Sequence, residues 1–427
     1  MNQSIREVLT MRHGSNVELC GWVVTKNTVG ALLFLTIRDG SGYFQVVGKK
    51  EVTDQQFLDN MKDVTIESAV RIKGQLMDDA RAPGGKELTV KEIEIIAKAE
   101  KWPITKSAVK SSSFLYDFRH LSIRGKKSSS IMKIRSEFIK AAFDFFVEHD
   151  HIYINSPSIV QSAVEGGSTL FNIDYFGKNA SLSQSAQLYE EAAICAFGKV
   201  FVMQPAFRAE KSKTSKHLTE FMMIEAEVAF NEQVDNMKLQ EDFVNYVCER
   251  IVERRSEELE ILGRKFTVPE KPFPKITYDE AREITIKNGI NFEWGEDIPT
   301  EAERFLSKMF DKPFFIIDYP LSARSFYHMT KPNNTITLSA DLIAPEGFGE
   351  IATGGQRIHD YNFLVERLKQ YKLQTESFQW YVDLRKYGMP PHAGFGIGVE
   401  RSIRWICNLK HIRTTSLFPR TITRIYP

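Results

Sequence analysis

Residues 207–230 read FRAEKSKTSKHLTEFMMIEAEVAF and hold the densest chemistry in the chain. An apolar run (Val200, Phe201, Val202, Met203) leads into Arg208 and Glu210, then into a polar, basic segment with Lys211, Lys213, Lys216 and His217. Phe221, Met223, Glu225 and Glu227 follow at period two. Two apolar strands joined by a polar loop predict an antiparallel hairpin in which side chains at i and i+2 share a face. Glu225 and Glu227 are expected to project together, on the side that holds Arg208 and Glu210. Such charges on an otherwise apolar sheet are costly unless they are paired or meet a ligand. A solvated hairpin with a charged outer face is the plainer alternative.

Three stretches together carry a family resemblance. Arg208-Ala-Glu210 with His217-Leu-Thr-Glu-Phe221 resembles motif 2 of the class II aminoacyl-tRNA synthetases. Gly394-Phe-Gly396-Ile-Gly398-Val-Glu400-Arg401 resembles motif 3, and a helix running into Asn155-Ser-Pro157-Ser-Ile159 resembles motif 1. The motifs stand in family order over nearly the whole chain and resemble the aspartyl/asparaginyl branch. The implied fold is α+β, with an OB-type β-barrel over 1–100, a linker over 101–128, and a catalytic domain over 129–427 whose antiparallel sheet is flanked by helices.

The implied chemistry joins an amino acid carboxylate to the α-phosphate of ATP and passes the product to a tRNA. Bringing a carboxylate against a polyanion needs cations. The resemblance makes Arg208 the ligand of both carboxylate and α-phosphate, since a planar fork serves two oxygens. Arg401 would hold the γ-phosphate. Gly396 and Gly398 would admit the adenosine, Phe221 would stack on adenine, and Glu210 would accept from its amine. His217, with Lys216 and Leu218 beside it, would lie near the phosphates; a surface-loop histidine is the alternative. Glu227 and Glu400 are also placed at the ATP. Magnesium takes hard oxygen ligands, for which Glu350 is the first candidate and Thr353 and Asp341 the next. Glu165 in the loop Glu165-Gly-Gly167-Ser would face the substrate ammonium, and Ser185 and Gln187 its amino and carboxyl groups. Arg357 would grip a side-chain oxygen.

The choice of amino acid turns on two positions. Aspartyl enzymes carry a lysine where this chain has Glu190, and a shorter aspartate where it has Glu225. An asparagine amide wants an acceptor, which Glu225 supplies; two carboxylates would repel an aspartate. L-asparagine is the expected substrate. An aspartyl enzyme stays as an alternative, because residues 355–361 and 389–392 look like archaeal aspartyl enzymes. A non-catalytic RNA-binding paralogue is the other.

The elements that must position these groups follow from pattern. From Val17 to about Ala99, five short alternating runs are separated by turns, among them Asp39-Gly40, a hairpin signal. A small OB-type barrel binds single strands by stacking bases on aromatics. The resemblance assigns Phe34 to the middle anticodon base, Gln45 to its edge and Lys26 to the RNA backbone; from the pattern alone Phe34 reads as core. The basic segment Arg119 to Lys127 could follow the tRNA or simply be solvated. Positions 131, 134, 138, 142 and 145 recur at helical spacing, and in this family that helix and the next strand make a two-fold interface, so a homodimer is expected. Residues 235–262 read as a solvated surface helix, and 263–312 as mixed structure without chemistry.

Bulk properties narrow the class. The 427 residues suffice for two or three domains, and a formal charge of +1 gives no global pull on nucleic acid, so RNA contacts must be local. Cys20, Cys195, Cys248 and Cys407 form no CxxC pair, which argues against zinc and for reduced, mostly buried thiols. No signal core or membrane-length run is present, so a cytoplasmic protein without a membrane partner is expected.

Overall fold

The computed structural model describes residues 3–30, 32–49, 59, 62–105, 107, 111–161, 169–211, 214 and 216–427. It divides into two compact units, 1–116 and 117–427.

In the first unit β1 (Asn16–Val29), β2 (Leu32–Arg38), β3 (Tyr43–Lys49), β4 (Ala69–Asp78) and β5 (Lys86–Ala97) close a barrel in the order β1-β2-β3-β5-β4. Alternation fills it: Leu35, Ile37, Phe44, Val46, Val70 and Ile72 point inward and are buried. The turn after β2 is shaped by Asp39, whose carboxylate accepts from the backbone N–H groups of Ser41 and Gly42. Phe34 sits between Leu33 and Leu35 but stands outside this core, half-buried. Its register partners are Asn27 and Val47, and two residues along, on the same face, Thr36 pairs with Thr25 and Gln45.

In the second unit the strands are β6 (Ile152–Tyr153), β7 (Ile159–Val160), β8 (Asn172–Tyr175), β9 (Lys178–Leu182), β10 (Lys199–Phe207), β11 (Glu220–Ala229), β12 (Lys275–Thr277), β13 (Phe314–Ile317), β14 (Ser339–Ala344), β15 (Gly349–Gln356) and β16 (His392–Gly398). Eight of them form one sheet in the order β12-β13-β14-β15-β16-β11-β10-β6, and β7, β9 and β8 form a small separate one. All neighbours in the large sheet are antiparallel except β12–β13 and β10–β6.

One face of this sheet is the core. Ile224, Ala226, Phe395 and Ile397 meet the helices Lys126–Glu148 and Gln233–Arg254. The first helix buries Ile131, Ile134, Phe138, Ala142 and Phe145, the five positions read from its periodicity. The second is not a solvated helix. It buries Phe243, Val244, Val247, Cys248 and Ile251 in the same cluster, and Arg254 and the following Arg255 clamp the buried Glu137 at 3.1 and 2.9 Å. Its charged residues had concealed the apolar stripe. Each such aromatic contributes roughly 1.5–3 kcal/mol by burial.

The other face carries the side chains that alternate with the core. Glu225 of β11 is in register with Gly396 of β16, Gly396 with Thr353 of β15, and Thr353 with Asp341 of β14. Glu350 joins them through an irregularity. Leu342 pairs with Ala352 but Ile343 pairs with Glu350, so β15 holds one extra residue. By strict alternation Glu350 would face away from Thr353; the bulge re-aims it, and Thr353 Oγ1 donates to Glu350 Oε1 at 3.2 Å.

Two further expectations change here. Arg119, read as part of a basic track, is buried, with its guanidinium donating to the carbonyls of Ser416 and Leu417. Of the four cysteines, Cys248 and Cys407 are buried, Cys20 is half-buried and Cys195 is exposed.

Candidate active site

The non-core face of the sheet floors a cavity of about 430 Å³. Arg208, Arg357 and Arg401 all line it, with Lys216, His217, Leu218, Phe221 and Glu225. The three arginines arrive from separate parts of the chain. Arg208 follows the end of β10, its backbone N–H still bonded to Thr219; Arg357 follows β15, and Arg401 lies in the first turn of the helix Val399–Ile406.

The cations are met by carboxylates of the chain. Arg401 Nη1 lies 2.6 Å from Glu350 Oε1, Lys216 Nζ 2.5 Å from Glu303 Oε2, and Arg324 Nη2 2.5 Å from Asp341 Oδ2. Burial alone would raise the Glu350 carboxyl, but Arg401, Lys216, Arg324 and Arg208 hold it down at about 2. These cations favour the ionised form of Glu350. The Arg208 guanidinium lies 5.5 Å from the centre of the Phe221 ring. His217 Nε2 is 3.4 Å from Glu210 Oε2 and its ring contacts Thr214; burial and the nearby Arg401 lower its basicity.

A second group is built around the first turn of the helix Gln187–Phe197. Ser185 Oγ donates to Glu225 Oε1 at 2.5 Å and the Ala186 N–H to Oε2 at 2.7 Å, so Glu225 is fixed in place. Gln187 Nε2 donates to the buried Glu191, which also accepts from Tyr381, Arg385 and His392. Gln187 and Glu190 both line the cavity.

Several expected site residues are placed differently. Glu227 does not line the cavity: it is fully buried and accepts from Arg357 Nε at 3.1 Å and Nη2 at 3.1 Å. Its neighbour in register is Gly394, where a Cβ would collide with the Glu227 carboxylate, so the close approach of that carboxylate requires glycine there. Glu400 borders the cavity, but its carboxylate accepts from the Met222 N–H at 3.0 Å and pairs with Arg135 at 2.7 Å. Asp341 is turned to Arg324. Gly396 and Gly398 line the cavity; at Gly398 the atoms nearest an added Cβ belong to the Arg401 side chain, at an ordinary contact distance of 3.7 Å. Glu165 and its loop lie outside the described residues. In the barrel, Lys26 donates to the carbonyls of Lys62 and Val64 instead of reaching outward, and Gln45 Nε2 donates to Glu87 at 3.0 Å.

Asp297, Thr300, Glu303, Arg324 and His328 also line the cavity, and no motif in the sequence points to them. The first three come from the stretch read as having no chemistry. Glu303 was legible only as one of the acidic residues of the helix Thr300–Ser307; its link to Lys216 and to the Glu350 N–H (2.6 Å) is tertiary.

Residues 111–422 match the model of the class II tRNA synthetases (D, K and N), and residues 17–96 that of the OB-fold nucleic acid binding domain. The chain belongs to the class II tRNA synthetases. This synthetase is 46% identical to an asparagine–tRNA ligase of Desulforamulus reducens, covering 96% of each chain, and 44% identical to one of Pyrococcus furiosus, covering 99% of this chain and 98% of the other. The crystal structure of asparaginyl-tRNA synthetase from Pyrococcus horikoshii complexed with asparaginyl-adenylate superimposes with a TM-score of 0.96, at 42% identity and with both chains fully covered. Among the described residues no helix of the synthetase is long and apolar enough to cross a membrane.

Proposed function

We propose that this synthetase activates L-asparagine with ATP and transfers the asparaginyl group to the 3′ end of its tRNA. One observation carries the reading: Arg208, Arg357 and Arg401 border one cavity together with an immobilised Glu225. The names of the relatives support asparagine as the amino acid.

In the first step the asparagine carboxylate attacks the α-phosphorus of ATP and pyrophosphate leaves. Arg208 bridges carboxylate and α-phosphate and offsets the charge of the transition state. Arg401 and Lys216, now on Glu350 and Glu303, are positioned for the outer phosphates, and Phe221 and Glu210 for the adenine. In the second step a terminal ribose hydroxyl attacks the acyl carbon and AMP leaves. The amide nitrogen of asparagine donates to Glu225, and Arg357, held by Glu227, donates to the amide oxygen. Ser185 and Gln187 receive the amino acid's charged ends.

Magnesium fits the donor set. Glu350 is a carboxylate on the cavity with the Thr353 hydroxyl beside it, while Asp341, in register with Thr353, is taken up by Arg324. No cluster of three carboxylate, imidazole or thiol ligands exists among the described residues, so the ion would be shared with phosphate oxygens. When bound it neutralises phosphate charge.

The barrel would hold the anticodon on the face bearing Phe34, Thr36 and Gln45. Phe143, Val147, Ile152 and Tyr153 are exposed on the first long helix and β6, which fits a homodimer interface there. Cytoplasmic translation is the setting this function implies. ATP-dependent attachment of labelled asparagine to tRNA tests the reading; attachment of aspartate instead, or of neither, would refute it.

A further inference from the structure

We infer that Glu190 reads the side-chain amide of the amino acid as an uncharged acid, donating its O–H to the amide oxygen and accepting an N–H from the amide nitrogen. This rests on asparagine being the substrate. Glu190 sits in the first turn of the helix Gln187–Phe197, borders the cavity, and is 1% exposed. Its Oε1 is shut off from solvent and has no hydrogen-bond partner. A buried polar atom without a partner is costly, and a substrate group entering the cavity would supply one.

The groups that act on it are Glu225 and Glu227 of β11, Arg357 after β15, and Glu191 on its own helix. The one cation among them is already committed to Glu227. Glu191 is held ionised by Arg385 and His392, and the oxygens of Glu225 receive Ser185 and Ala186. A carboxylate at position 190 would thus be buried among carboxylates with no cation of its own, and burial, Glu225 and Glu227 all favour its protonated form.

A carboxylic acid and a primary carboxamide each offer one acceptor oxygen and one donor on adjacent atoms, so they close a two-bond ring. Aspartate offers two acceptors only. It could take the O–H but would set a negative oxygen against the acid's carbonyl, and a site with unmatched polar groups discriminates strongly.

The test is asparagine-dependent ATP–pyrophosphate exchange for the wild type, Glu190→Ala and Glu190→Gln, followed as a pH profile from roughly pH 6 to 10. Glu190→Ala should lower kcat/KM for asparagine roughly 100-fold, and Glu190→Gln, which keeps a donor and an acceptor, should recover about tenfold of that. Because the protonated form binds, wild-type kcat/KM falls as pH rises through the raised pKa of Glu190. That fall should be absent in Glu190→Gln, leaving only the limb contributed by the substrate ammonium. An identical alkaline limb in both proteins, or a Gln variant as impaired as Ala, overturns the inference while leaving asparagine as substrate. No wild-type exchange with asparagine overturns both. The KM for ATP, unchanged throughout, reports that the variants are folded.

Discussion

Arg357 lines the cavity while its Nε and Nη2 are both taken by the buried carboxylate of Glu227, at 3.1 Å each. Both side chains are nearly inaccessible, 4% and 1% exposed, so neither charge can be abandoned. Truncating Glu227 to Ala would strand a buried cation. Urea unfolding should show a loss of about 3–5 kcal/mol, with Glu227→Gln losing less because it keeps an acceptor. A loss below about 1 kcal/mol would mean that the pair is not buried as described.

Arg208 is assigned to the transition state of the first step. Arg208→Ala should lower asparagine-dependent pyrophosphate exchange by about 10³-fold or more, with the fold intact by circular dichroism. Unchanged exchange would remove the assignment.

Phe34 lies outside the barrel core, on a face with Thr36 and Gln45. Phe34→Ala should leave pyrophosphate exchange as it is and raise the KM for tRNA roughly 10- to 100-fold, the worth of one stacked base. Equal damage to exchange would point to a structural role.

Glu190 also leaves a mark on stability. Its pKa lies well above the ordinary 4.5 when folded, so between those values the folded protein holds a proton that the unfolded chain releases. Its contribution is complete at acid pH and lost as pH rises, by up to about 1.4 kcal/mol per unit. Glu190→Gln should therefore be more thermostable than the wild type at neutral pH, by a margin that shrinks to nothing near pH 4 (about the unfolded carboxyl value). A margin independent of pH would contradict this.

What could be read from the sequence was what repeats along it. The barrel strands, the five buried positions of the helix Lys126–Glu148, and the hairpin that carries Arg208 and Glu225 all follow from local period. Relations across the sheet do not. That Glu227 belongs to Arg357, that Gly394 yields to Glu227, and that a bulge turns Glu350 toward Thr353 are facts of strand register, which no single segment encodes. The helix Gln233–Arg254 misled because Arg254 and Arg255 read as solvent-facing while they satisfy a buried glutamate. Glu303 and Arg324 were missed because they reach the cavity from segments with no motif.

One cavity is proposed to bring ATP and asparagine together. Pyrophosphate exchange with each of the twenty amino acids tests it most directly. Exchange with asparagine, and with aspartate lower by orders of magnitude, is the predicted result. Exchange driven by aspartate, or by no amino acid at all, would rule out asparagine activation in this cavity.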